Sequence, residues 1–344
     1  MLVSDFDYHL PQKLIAQIPL SEREKSRMMV CNRKTGDIFH AHFSDFPGYC
    51  RKEDIIVLNS SKVIPAKIWG KKEDGRTIEF LFLKEIGEKT WEAMCRPARH
   101  LKQGDRVIFA TDAAARVVEI KHEGKRVIQF QSGDVLSLLK KAGYAPLPPY
   151  IKRKRADLDY RSEDLKRYQT VFARKEGSIA APTAGLHFTQ ELLTQIKKKG
   201  ITVCELSLDV GLATFQPVRA QKVEDHPMLA ESYEISQDTA MIITEGLKNK
   251  HPVTAVGTTS VRALESAYED ERIRSGRFST DLFIYPSYKF KAVDKLLTNF
   301  HLPKSTLLML VSAFAGRDFI LEAYRQAVRN KYRFYSYGDC MLIL

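Results

Sequence analysis

The strongest constraint on this chain's fold is an abrupt change of texture. From about residue 65 to residue 130 it carries short strands and tight turns, with almost no helical pattern. Ile78, Phe80 and Phe82 alternate with Glu79, Leu81 and Leu83. Arg116, Val118 and Ile120 alternate with Val117 and Glu119, and residues 127–130 make another short run. Asp74-Gly75, Gly87, Gly104-Asp105 and Glu123-Gly124 supply the turns. Alternation with period two sends successive side chains to opposite faces. Six or so such strands in about 70 residues read as a small antiparallel barrel, because closure removes exposed edges.

The flanks differ. Asp134 caps a short helix holding Val135, Leu136, Leu138 and Leu139 and closed by Gly143, and Ala145-Pro-Leu-Pro-Pro149 is a stiff connector. From Gly177 onward strands and helices alternate. Thr189 caps a helix with Glu191 in its first turn and lysines 197–199 at its end, the charge order that the helix dipole favours. Residues 201–208, 253–256, 282–285 and 296–300 read as strands, and residues 55–58 are the clearest strand near the N-terminus. The strand 253–256 runs into Gly257-Thr-Thr-Ser260 and a helix with Val261, Leu264 and Tyr268 on one face. Ser305 or Thr306 caps a further helix, and residues 320–330 make the last. At roughly 150 residues per domain, a chain of 344 suggests about two. The expected fold is α/β: a large layered domain, residues 1–64 and 150–344, carrying an inserted small antiparallel β-barrel domain, residues 65–149.

Lys plus Arg outnumber Asp plus Glu by 54 to 42, a net charge of +12 that attracts polyanions; an enzyme with a basic skew and a nucleic-acid binder both fit. The five cysteines are odd in number and form no Cys-x-x-Cys pair, which suits buried thiols in a reducing cytoplasm better than disulfides or zinc. Residues 1–10 contain Asp5 and Asp7 and no long apolar run, unlike a signal peptide, and the longest apolar stretch, 307–315, is too short for a bilayer. A soluble, cytoplasmic, monomeric protein is expected.

Lys304-Ser305-Thr306 lacks the upstream glycines of a phosphate loop, no Gly-x-Gly-x-x-Gly follows a strand, and no His/Cys cluster suggests a metal; none is expected. Four polar segments at strand ends stand out instead. Ala180-Ala-Pro-Thr-Ala-Gly-Leu-His-Phe188 precedes a helix; its His187 either titrates near neutrality or serves a turn. Leu208-Asp-Val-Gly-Leu-Ala-Thr-Phe215 places Asp209 either near a cation or in an Asx turn. Gly257-Thr-Thr-Ser-Val-Arg262 offers hydroxyls at a helix N-terminus, for capping or as an anion seat. Asn299-Phe-His-Leu-Pro-Lys-Ser305 follows a strand, where open α/β sheets bind ligands. The basic run Lys152, Arg153, Lys154, Arg155 sits at the domain junction and can meet phosphates, and lysines 197–199 complete a helix end. The aromatic stretch 332–337 either packs in the core or stacks on bases.

With Asp5-Phe-Asp-Tyr8, Leu14-Ile-Ala-Gln17, Val63-Ile-Pro-Ala66 and Phe283-Ile-Tyr-Pro286, and with the runs 181–189, 256–262, 298–306, 311–316 and 332–339, the chain resembles the S-adenosylmethionine:tRNA ribosyltransferase-isomerases of queuosine biosynthesis over nearly its whole length. The resemblance implies an α/β domain with an inserted barrel. It implies S-adenosylmethionine consumed as ribosyl donor, and 7-aminomethyl-7-deazaguanine at the tRNA wobble position as acceptor. The products are epoxyqueuosine-tRNA, adenine and methionine. For that chemistry His187, Asp209 and His301 are the catalytic candidates, His187 or His301 as the acid–base group and Asp209 facing the sulfonium or the amine. Thr183, Gly185, Phe188, Gly257, Thr258, Thr259, Arg262 and Asn299 become binders of S-adenosylmethionine, and Lys152, Arg153, Lys154 and Arg155 binders of tRNA. The family pattern usually has His at Asp209, Gly at Ala213, His at Leu229 and Ile18, and Arg at Lys62. A non-catalytic RNA-binding module and an RNA methyltransferase are the alternatives.

Overall fold

A computed structural model of the chain describes residues 1–110, 113–153, 159–211 and 218–344. Its backbone is a nine-stranded sheet. From edge to edge the strands are Gly276–Thr280, Glu231–Ile235, Thr202–Leu208, Ile55–Asn59, Val253–Val256, Lys295–Asn299, Cys340–Ile343, Arg27–Cys31 and Ile38–His42. The four consecutive strands from Thr202–Leu208 to Lys295–Asn299 are parallel. Ile55–Asn59 and Val253–Val256 are buried at every residue, as parallel strands covered on both faces must be.

The pleat sorts their side chains. Ile55 and Val57 join one apolar cluster with Ala240, Ile243, Val261 and Leu264 of the helices Gln237–Lys248 and Thr258–Ala267. Ile56 and Leu58 join another with Leu192, Leu193 and Ile196 of the helix Gln190–Lys198. Thr189, Ser236 and Ser305 cap helices through their side chains, so Thr189 acts as read and, of the candidates Ser305 and Thr306, Ser305 is the cap. One expected strand is absent. Residues 282–285 are irregular, and the strand lies at Gly276–Thr280. The Leu282 carbonyl accepts from Arg262 Nε and its N–H donates to Thr280 Oγ1, so the backbone groups a ladder needs are spent on side chains.

In the chain between the sheet strands Ile55–Asn59 and Thr202–Leu208 lies a closed barrel ordered Lys125–Phe130, Thr90–Arg96, Thr77–Gly87, Lys67–Lys72, Arg106–Ile108, Ala114–Ile120, antiparallel throughout. Ile68, Ile78, Phe80, Phe82, Val107, Phe109 and Phe130 fill it, and the helix Val135–Ala142, capped by Asp134, adds Val135, Leu138 and Leu139. The chain enters and leaves side by side: Lys67 and Tyr144 exchange backbone hydrogen bonds of 3.3 and 2.7 Å. Among the described residues no helix is long and apolar enough to cross a membrane.

Candidate active site

Parallel strands bring their C-terminal ends to one edge, so the segments after Leu208, Asn59, Val256 and Asn299 meet there. Asn59 ties three of them together. Its Nδ2 donates to the Leu208 carbonyl (3.0 Å) and to Thr259 Oγ1 (3.2 Å), and its Oδ1 accepts from the Leu208 and Ser61 N–H groups. Gly257 starts the helix Thr258–Ala267 at φ 86°, ψ 152°, a backbone region essentially closed to other residues. That turn aims the helix N-terminus at a pocket lined by Ala180–Ala184, Val210, Gly257–Thr259, Thr298–Leu302, Tyr150 and Tyr335, among others. Thr183, Gly257, Thr258, Thr259, Asn299 and His301 therefore share one hollow of about 70 Å³. Among the described residues no Lys, Arg, Asp or Glu side chain lines it; the polar groups are hydroxyls, amides and one imidazole.

Other expected residues point elsewhere. Phe188 is fully buried in an aromatic cluster with Phe43, Phe46 and Phe172. A Cβ on Gly185 would come within 2.7 Å of the Phe172 ring, so glycine there serves packing. Arg262 is buried in an ion pair with Glu231 and bonded to the Leu282 and Thr280 carbonyls, beside a separate hollow. Asp209 is one residue off the pocket: alternation turns Val210 in and Asp209 toward Gly177. Burial pushes its carboxyl pKa up against the pull of Arg277 and Lys175, and its Oδ1 has no hydrogen-bond partner among the described residues. Lys152 and Arg153 line a different, larger cavity, and Arg153 is already held by Asp164 at 2.8 and 2.9 Å. Lys154, Arg155 and Ala213 lie outside the described residues. Ile18 and Leu229 are exposed, and Lys62 pairs with Glu176.

Both catalytic histidine candidates are buried and neutral. Desolvation drives His187 to a pKa of about 4 and His301 to about 3. His301 faces the pocket, with Nε2 2.9 Å from Thr298 Oγ1 and its backbone clamped by the Tyr8 and Tyr324 hydroxyls. His187 sits behind the pocket wall. Its Nδ1 is 2.7 Å from Ser26 Oγ and its Nε2 3.3 Å from Asn299 Oδ1. Asn299 Nδ2 donates to the Tyr335 carbonyl, which leaves Oδ1 toward the imidazole. Nε2 then carries the proton and donates, and Nδ1 accepts from Ser26. His187 thus bonds Asn299 from behind the pocket and lines a separate small hollow with Arg23, Ser26 and Ser336.

The reading from sequence passed over Asn59 and Tyr150, and placed Tyr335 and Ser336 in the aromatic stretch without giving either a pocket role. The signal at Asn59 is a polar residue closing the apolar run 55–58. Tyr150 ends the proline-rich connector and bonds Ser336 Oγ at 2.7 Å. Tyr332, Phe334, Tyr335 and Tyr337 are all buried, so the C-terminal aromatic stretch packs in the core, with Tyr335 also forming a pocket wall.

Comparison with known proteins agrees with this architecture. Residues 3–343 match the family model described as queuosine biosynthesis protein. S-adenosylmethionine:tRNA ribosyltransferase-isomerases from Halothermothrix orenii and Clostridium kluyveri are 51% and 48% identical to the chain over the full length of both partners. A crystal structure of S-adenosylmethionine tRNA ribosyltransferase from Thermotoga maritima covers 99% of this chain and is itself covered completely, at 38% identity and a TM-score of 0.56. The chain belongs to the queuosine biosynthesis protein family.

Proposed function

We propose that the protein transfers and isomerises the ribosyl group of S-adenosylmethionine onto 7-aminomethyl-7-deazaguanine at the tRNA wobble position, releasing adenine and methionine. The observation that carries this reading, beside full-length kinship, is the composition of the pocket. A helix N-terminus with Thr258 and Thr259 suits a carboxylate, and the rings of Tyr150, Phe300 and Tyr335 suit a sulfonium by cation–π attraction, with no Lys or Arg among the described lining residues to repel it. A hollow of about 70 Å³ is far below the roughly 300–1,000 Å³ of ordinary ligand sites. It therefore takes the amino-acid end of the donor, while a cleft of about 630 Å³ sharing Tyr335 receives the remainder. In the reaction, the sulfonium acidifies the adjacent ribose methylene, a base takes that proton, and adenine leaves. The neutral acceptor amine bonds to the ribose, and a ribose oxygen displaces methionine to close the epoxide. His301 is the imidazole in the wall; neutral, with its pKa held down to about 3 by burial, it offers a hydrogen-bonding nitrogen and only a weak base, and Asn299, held by His187, orients the donor. Asp209, one residue behind the wall with its pKa raised, is the second proton-transfer candidate.

The division into residues 1–64 with 150–344 and an inserted 65–149 is part of this proposal. It is supported by the barrel's separate apolar cluster and by the Lys67–Tyr144 bridge at its neck. A cytoplasmic monomer is also part of it; five free thiols, four of them buried, support the reducing compartment. The deciding assay incubates the protein with labelled S-adenosylmethionine and tRNA bearing the aminomethyl-deazaguanine. Adenine and methionine released together, with tRNA gaining the mass of a modified pentose, are the expected result. S-adenosylhomocysteine would point to methylation instead, and no release to a binding protein.

A further inference from the structure

We propose that the cleft between the barrel and the α/β body seats a second, unpaired nucleotide of the RNA substrate, stacked on the barrel's outer face beside the reacting base. This rests on the RNA partner argued above and adds the surface that meets it. The cleft has a volume of about 740 Å³ and takes walls from both parts of the chain. Its barrel wall is the outward face of three adjacent strands, Lys67–Lys72, Thr77–Gly87 and Thr90–Arg96. The registers lay Trp69, Glu79 and Arg96 across it in one row and Lys67, Leu81 and Met94 in the next. Alternation sends Ile68, Phe80 and Cys95 into the barrel core, so these side chains are not there to fill it. Trp91, the other tryptophan, is 5% exposed inside the barrel, whereas Trp69 stands on the outer face, edge-on to Tyr144 at 4.7 Å between ring centres. A flat aromatic beside a cation on the outside of a small barrel is the arrangement that stacks single-stranded bases.

The charge agrees. Six cationic side chains line the cleft against three carboxylates, so the lining carries a positive excess. Lys67 is engaged by Glu79 and Arg153 by Asp164, but Arg96, Lys152 and Arg219 have no ion pair among the described residues. Those three are available to phosphates. The position also agrees. Tyr150 and Ala180 line the ligand pocket, while Ile151 and Ile179, their chain neighbours, line the cleft. Consecutive Cα atoms are about 3.8 Å apart, so the wall between the hollows is one residue thick. A base that reaches the donor at that wall leaves its strand neighbour, once unstacked, within reach of the cleft.

The test uses the full chain and a synthetic anticodon stem–loop RNA with ordinary guanine at the wobble position, which binds without reacting. Trp69 emission should be quenched on titration, and the quench should vanish in Trp69→Leu, which keeps apolar packing against Tyr144. Trp69→Leu and, separately, Arg96→Gln should weaken RNA binding about tenfold, and raise the KM for the modified tRNA to match, while the KM for S-adenosylmethionine stays at the wild-type value. Arg96→Gln keeps the strand's length and polarity and guards against a folding artefact in the first variant. If both variants bind the RNA as tightly as wild type, the cleft is not its seat. That result is separable from failure of the proposed reaction, which would show as RNA binding by the wild type without release of adenine or methionine.

Discussion

The two buried histidines make the clearest statement at the level of single residues. Each is neutral in the fold and has an ordinary pKa near 6.5 once unfolded. Below 6.5 the unfolded chain binds protons that the fold refuses, so stability rises with pH between the folded and unfolded values. It should be flat with respect to these groups above pH 7, and be lost progressively as pH falls from 6.5 toward about 4 for His187 and about 3 for His301. At about 1.4 kcal/mol per unit, the fall from 6.5 to about 4 gives on the order of 3 kcal/mol for His187 alone. Urea midpoints measured from pH 8 to pH 4 read this directly; a midpoint constant over that range would show that the imidazoles are not desolvated. The role of His187 has its own test. His187→Leu should lower kcat about tenfold or more by releasing Asn299, whereas His187→Gln, whose amide can donate to Asn299 and accept from Ser26, should restore part of it. Equal rates in the two variants would remove the positioning role. This is also where sequence reading reached its limit. His187 stands in a conspicuous motif, but whether a side chain faces a ligand or the back of a wall is decided by the turn Thr183–His187, which directs Thr183 to the pocket and Gly185 and Phe188 to Phe172. Motif membership carries no such direction.

Secondary-structure elements were far more legible. Asp134 and Thr189 cap the helices they were expected to cap, and Ser305 rather than Thr306 caps the third, because an oxygen one or two bonds from Cβ satisfies orphan N–H groups whatever packs above. The barrel was legible from alternation, since each of its strands has one face in a dry interior. The strand expected at residues 282–285 failed because Arg262, a residue 20 positions earlier, takes the Leu282 carbonyl, a long-range claim that no local pattern announces. The same helix, Thr258–Ala267, owes its aim to Gly257. Gly257→Ala meets open enough space, with its nearest neighbours at 3.5 and 3.7 Å, so any cost is conformational rather than steric crowding. That cost should be about 1–3 kcal/mol, and the helix should either lose stability or rotate its N-terminus off the pocket. Denaturant midpoint and the KM for S-adenosylmethionine should therefore both worsen. An alanine variant with both unchanged would show that the left-handed turn does not position the ligand seat.

At the scale of the whole molecule, the proposed donor pocket and the proposed RNA cleft draw on different parts of the chain. Every residue lining the pocket comes from outside the barrel strands, while the cleft draws its aromatic and cationic row from them. A division of this kind is physically removable only if the barrel's two ends meet, and they do. Lys67 and Tyr144 exchange both backbone hydrogen bonds, the geometry that a two-residue turn closes. Replacing residues 68–143 by Asn-Gly should therefore leave the nine-stranded sheet and both of its apolar clusters intact, because the barrel's buried side chains form a cluster of their own. The losses at the neck are local, chiefly the Lys141 and Gly143 carbonyls that Arg161 now holds. The shortened chain should unfold cooperatively and bind S-adenosylmethionine in equilibrium dialysis with an affinity within a few-fold of wild type, since the helix N-terminus, Tyr150, Asn299 and Tyr335 remain. Its affinity for the anticodon stem–loop should fall about tenfold or more, and the dependence of that affinity on salt should flatten as phosphate contacts are lost. Loss of S-adenosylmethionine binding from a shortened chain that still folds would mean that the barrel helps to shape the donor pocket. Retained RNA affinity would place the nucleic-acid surface on the α/β body alone.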